Sequence, residues 1–245
     1  MPHISIKAES IFKVFNFPIT NSFLTSLLVL IITCIIAILY HIESKKKKKS
    51  LFFYLVTAVI NELYKLFNSV VEDKIKVFFP LLISFFIFIL LQNWFGLLPG
   101  IGSVLIKVKE HGEQTFVPLL RGGSADLNTT LAYAFISVFF IQYYGIHTLG
   151  FIHYVKKFIN FSNPVTFFIG ILDIISEISR VISFSFRLFG NIFAGEVLLA
   201  IISFLVPFFI SFPFLIMEIF VGFVQALVFS MLTAVFLKMA ISKSH

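Results

Sequence analysis

The chain has 245 residues, 59% of them hydrophobic and only 13% charged, with a mean hydropathy of +1.02. A soluble domain carries about a quarter charged residues, so lipid rather than water is the solvent for much of this sequence. The net charge of +7 does not describe a nucleic-acid-binding domain, because the cations cluster at the ends of apolar runs, where positively charged loops flank membrane helices.

The opening MPHISIKAES lacks the form of a secretory signal, and the apolar run after it is long for one. The first span is therefore expected to be retained, over 21–42. It is closed by SKKKKKS, and Lys45 to Lys49 should hold that end in the cytoplasm, with the N-terminus outside. Cys34, the single cysteine, lies inside this run and reads as a small packing residue. Residues 51–76 mix apolar positions with Asn61, Glu62, Lys65, Asn68, Glu72, Asp73 and Lys74. That mixture suits an amphipathic helix lying in the membrane interface.

Residues 77–98 form the next span, leading outward, with Trp94 in the interfacial aromatic belt. The stretch 99–126, rich in Gly, Pro and charge, reads as an external loop, and VLIKVKEHGEQTFV within it suits a small hairpin. Ser124 or Asp126 caps a helix over 127–154, which pairs with 77–98 and returns to the cytoplasm at Lys156 and Lys157. Asn128-Thr129-Thr130 has the form of a glycosylation sequon, but at a helix start it is not read as one. A long segment, 164–206, runs outward, PFFISFP at 207–213 turns the chain, and 214–242 returns to a cytoplasmic C-terminus beside Lys238 and Lys243. The expected fold is a single all-α polytopic membrane domain over 1–245. It has five transmembrane helices and one interfacial helix, the last two spans being long enough to require strong tilt.

Polar groups interrupt those last two spans. SRVISFSFRLFGNIFAGEVLLAII, residues 179–202, carries Arg187 in its middle. An arginine at bilayer depth costs at least about 2.5–3.5 kcal/mol, and intramembrane ionisable groups usually mark ion pathways. On a helix, Asp173, Ser176, Arg180, Ser183, Asn191 and Ala194 fall within about 40° of Arg187, a narrow polar stripe. Glu196 falls about 180° away, on the opposite face. In the last helix Glu218, Gly222 and Gln225 are spaced four and three apart and share a face. The plainer alternative is that Arg187 pairs with Glu196 or Glu218 and locks two helices, with Gln225 as hydrogen-bonding glue. His111, His147 and His153 show no metal-ligand spacing. There is no nucleotide-binding loop and no nucleophile with a base.

The string SFRLFGNIFAGE, residues 185–196, resembles the signature of subunit a of the F-type ATP synthases. NWFGLLPG at 93–100, SADLNTTLA at 124–132, EISRVISFSFRLFGN over the fifth helix and FVQALVFSMLTAVFL at 223–237 resemble that family's other motifs, in order. The resemblance implies a proton-translocating stator subunit of the membrane sector, non-catalytic in itself, with two aqueous half-channels. Arg187 is implied to be the fixed cation facing a ring of c subunits and coupling proton flow to its rotation. Asn191, Glu196, Glu218 and Gln225 are implied to line the proton pathway. Implied partners are the c-subunit ring, peripheral-stalk b subunits, the other synthase subunits and the lipid bilayer, with no cofactor and no nucleic acid. The implied location is the bacterial inner membrane, or alternatively an organellar inner membrane. Some relatives place a histidine where this chain has Glu196 or Glu218, and many have proline where it has Val181. Two readings from other classes stand beside this one. A self-contained secondary transporter or channel would be expected to carry inverted repeats or paired broken helices. In a structural scaffold the polar stripe would only join helices.

Overall fold

A computed structural model of the chain describes residues 8–14, 17–98, 100–110, 113–158, 164–205 and 211–242. The side chains of His111, His153, Lys156, Lys157 and Lys243, and most of the turn at 207–213, lie outside the described residues.

The described residues are all-α apart from two short antiparallel hairpins. Strands β1 (Ser10–Val14) and β2 (Phe17–Thr20) precede helix α1 (Asn21–Ser44). Helix α2 (Leu51–Val71) follows the lysine run, and α3 (Ile75–Gly96) follows a single 3-10 turn over Glu72–Lys74. Strands β3 (Leu105–Glu110) and β4 (Glu113–Pro118) pair in register from Leu105 opposite Pro118 to Glu110 opposite Glu113. Then come α4 (Leu127–Leu149), α5 (Phe151–Phe158), α6 (Pro164–Leu205) and α7 (Ser211–Ile241). Among the described residues, five apolar stretches are long enough to cross a membrane: Asn21–Ser44, Leu51–Gly96, Leu127–Leu149, Pro164–Leu205 and Ser211–Ile241.

Three boundaries differ from the sequence reading. The helix expected over 51–76 stops at Val71, because Glu72 takes φ 57°, and α3 begins at Ile75 rather than 77. The helix expected over 127–154 breaks at Gly150, φ 84°, into α4 and α5. The last helix starts at Ser211, ahead of Pro213, since proline is tolerated in a first turn where its missing N–H is not needed. Asp126 rather than Ser124 caps α4, its carboxylate accepting from the Asn128 N–H at 3.1 Å.

Helices α3, α4, α6 and α7 make the core. Phe78, Leu82, Phe86 and Ile89 of α3 pack with Ile141 of α4, Phe184 and Leu188 of α6, and Phe229, Ala234 and Leu237 of α7. Two buried hydroxyl pairs join the helices across this core, Ser137 with Thr233 at 2.9 Å and Thr130 with Ser185 at 3.1 Å. Such bonds hold membrane helices together where lipid removes the hydrophobic drive for association.

The two ends of the bundle differ. At one end α2 lies across the helix termini. Its first turns stack on the end of α1, with Tyr40 against Phe53 at 5.1 Å, and Lys238 near the end of α7 pairs with Glu72 at 2.9 Å. At the other end the loop between α3 and α4 folds onto the start of α1. Ser22 donates to Asp126 at 2.8 Å, Asn21 donates to the Pro118 carbonyl at 3.3 Å, and the Arg121 N–H donates to Thr25 at 3.2 Å.

Candidate functional site: a polar stripe and a loop-end cavity

Helix α6 turns its polar stripe away from the core. Ser176, Ser183, Arg187, Asn191 and Ala194 are all exposed, whereas Phe184, Ser185 and Leu188 on the inner face are buried. The inner residues anchor the helix on α4 and α7, and that anchoring fixes the rotation that points Arg187 outward. The Arg187 guanidinium donates to Ser183 at 3.4 Å and pairs with neither Glu196 nor Glu218. The inter-helix lock considered from the sequence is therefore not formed. Arg187 and Gln225 line the same narrow cleft between α6 and α7, together with Phe184, Leu188 and Phe229.

Arg180 belongs elsewhere. It pairs with Glu177 at 2.7 Å and lies 3.9 Å from the centre of the Phe236 ring, an arrangement that fastens α6 to α7. Near it, Gln142 and Glu177 line a cavity of about 370 Å³ with Val138, Phe158 and Val181.

Glu196 and Glu218 both lie at the loop end. Both line a cavity of about 240 Å³ with Asn93, Arg121, Gly122 and Ile192. Asn93 donates to the Gly222 carbonyl at 2.8 Å, and the Trp94 indole donates to the Ile219 carbonyl at 3.0 Å. These bonds fix the end of α3 against α7, so Trp94 serves as a helix clamp. Glu218 is only 4% exposed, and it fits because α6 has a glycine opposite: a Cβ built on Gly195 would overlap the Glu218 carboxyl. Glu196 is bonded by Arg121, whose Nε and Nη2 donate to it at 3.3 and 3.2 Å.

Thus the five residues singled out from sequence fall into two groups. Arg187, Asn191 and Gln225 lie on or beside the outward stripe, and Glu196 and Glu218 line the cavity. Arg187 and Glu196 are nine positions apart on α6, about 13.5 Å along the axis. Sequence reasoning missed Arg121. Its only signal was a cation directly beside Gly122 and Gly123 in a loop where charge is ordinary.

Comparison with known proteins shows the family. The profile of the family described as ATP synthase A chain matches residues 23–238. ATP synthase subunit a of Syntrophobacter fumaroxidans is 35% identical over 178 residues, covering 72% of this chain and 66% of that protein. The protein of the same name from Geobacter sulfurreducens is 33% identical over 76% of this chain and 73% of its own length. That of Legionella pneumophila strain Corby is 28% identical over 94% of this chain and 90% of its own. The matched span contains both the stripe and the cavity, and on this basis the chain belongs to the ATP synthase A chain family.

Proposed function

We propose that the chain is the proton-translocating stator subunit of the membrane sector of an ATP synthase, lying against a ring of c subunits and joined to peripheral-stalk b subunits. The observation that carries this reading is Arg187, a cation in the middle of a 42-residue apolar helix that faces outward and pairs with no carboxylate among the described residues. A charge so placed needs a partner from outside the chain.

The mechanism follows from that placement. A guanidinium keeps its proton at any accessible pH, so Arg187 is a fixed positive charge. It favours the ionised form of whichever ring carboxyl comes alongside. That carboxyl gives its proton to an outlet half-channel and passes the arginine as an anion. It is then reprotonated from an inlet half-channel and moves on, neutral, through lipid. The same cation repels hydronium and blocks a direct leak between the half-channels. The loop-end cavity with Glu196 and Glu218 serves as the inlet, and Asn191 and Gln225 border the transfer zone around Arg187. Each proton gains about 2.3 kcal/mol per 100 mV of membrane potential, comparable with the cost of briefly exposing a charge to lipid. Covalent chemistry on phosphate then belongs to other subunits. The lysine run supports a topology with the α2 end of the bundle in the cytoplasm of a bacterial cell and the loop end outside.

Arg187→Ala tests the reading. The assembled complex should insert normally and lose ATP-driven proton pumping, and Arg187→Lys should retain only a small part, because a desolvated ammonium can deprotonate. Pumping at the unsubstituted level in Arg187→Ala would overturn the reading.

A further inference from the structure

Glu196 and Glu218 share one cavity, but their surroundings differ. Arg121 is 7% exposed and Glu196 40% exposed. The Arg121 guanidinium contacts both oxygens of Glu196, Oε1 at 3.2 Å and Oε2 at 3.2 and 3.3 Å. Arg121 is itself fixed by its backbone N–H on Thr25 and by the Phe193 ring, whose centre is 5.9 Å away. Protonating Glu196 would remove the negative charge that faces this buried guanidinium, which is costly on the Arg121 side of the pair. Glu218 has no ion pair and no hydrogen bond among the described residues, and its carboxyl occupies the gap above Gly195.

We propose that Arg121 is a positioning residue that divides the work between the two glutamates. It holds Glu196 as a fixed counter-charge at the cavity wall and leaves Glu218 as the carboxyl that accepts the incoming proton. In that step hydronium in the cavity gives its proton to the Glu218 carboxylate, releasing water. The resulting acid then gives the proton to a carboxylate on the ring side and returns to the anion. Breaking the Arg121–Glu196 pair should therefore release Glu196 as a second acceptor. This inference rests on the proposed function above, and Arg187→Ala tests that function separately.

The experiment uses the whole synthase in liposomes, with ATP-driven acidification as the readout and the assembled amount of each variant measured alongside. Glu218→Gln should lower the rate by about a hundredfold, the scale of a lost proton-transfer group, and Glu196→Gln by far less. In the Glu218→Gln background, Arg121→Gln should restore about tenfold by freeing Glu196. Arg121→Lys, which keeps the positive charge, should restore none. A purely structural Arg121 would make every double variant worse. The inference is overturned if Glu196→Gln is the more damaging single change, or if Arg121→Gln gives no recovery. Should the double variant fail to assemble, the ranking of the two single glutamate variants decides alone. Failure here while Arg187→Ala still blocks pumping would remove this inference and leave the function standing.

Discussion

Gly195 shows how much one missing methyl group decides. The α6 backbone closes to where the Glu218 carboxyl fills the space a Cβ would occupy. Gly195→Ala should push that carboxyl from its place and cost about 1–3 kcal/mol by overpacking. A lowered midpoint of thermal unfolding in the purified complex, together with slowed pumping, is the expected result. Gly190 makes the contrast, since a Cβ there meets nothing within 4 Å inside the chain. Gly190→Ala should leave the unfolding midpoint unchanged, and any loss of rotation-coupled pumping would then report a neighbour pressed against the stripe. At this scale the sequence was legible where physics made a residue conspicuous. Arg187 stands out because an arginine in an apolar run is expensive. Arg121 does not, because only the folded loop reveals that it is buried and aimed at Glu196.

The joint between α2 and α3 concentrates the mechanics of the elements. Glu72 adopts φ 57° without being glycine, and its carboxylate reaches Lys238 at 2.9 Å with 65% and 43% of the two side chains exposed. An exposed pair of this kind contributes about 0–1 kcal/mol, whereas the backbone strain at such a residue costs about 1–3 kcal/mol. Glu72→Gly should therefore stabilise the chain by roughly 1 kcal/mol, the strain relief exceeding the lost pair. Denaturant titration of the purified subunit checks the sign, and destabilisation would show that the pair dominates. Hydropathy located the joint only to within a few residues, because Ile75 and Lys76 suit either helix. It missed the break at Gly150 for a related reason, since apolar residues continue on both sides of it. The hairpin over 105–118 was legible from its alternating residues between Gly/Pro-rich ends. The hairpin over 10–20 was not anticipated, and its pairing includes a register shift between Ser10 and Phe12.

For the whole molecule, the distinction between its two ends carries the sidedness. One end holds Lys45 to Lys49, the α2 cap and Lys238, and the other holds the folded loop with its buried Asp126, Arg121 and Ser22. Cysteine labelling in intact cells tests the assignment, after Cys34→Ser removes the one native thiol. Ser103→Cys in the exposed part of the loop should react with a membrane-impermeant maleimide added outside. Lys47→Cys should react only once the cytoplasmic face is opened. The reverse pattern would invert the proposed topology. Each of the five long apolar stretches among the described residues contains a span legible in the sequence, because hydropathy over 20 residues is insensitive to local error, although the second, Leu51–Gly96, also takes in the segment read as interfacial. Their packing was not, because buried and lipid-facing positions are equally apolar in such helices.

Helix α6 has a further consequence through its length. Its 42 residues extend about 63 Å, roughly twice the hydrocarbon thickness of about 30 Å. To stay within the hydrocarbon, a rod of that proportion would have to lie closer to the plane of the bilayer than to its normal. Under the proposed mechanism, half-channels reaching toward Arg187 from the two sides would leave an insulating layer thinner than the membrane itself. Most of the transmembrane voltage would then fall across that thin partition, and the electric field would be strongest beside the arginine.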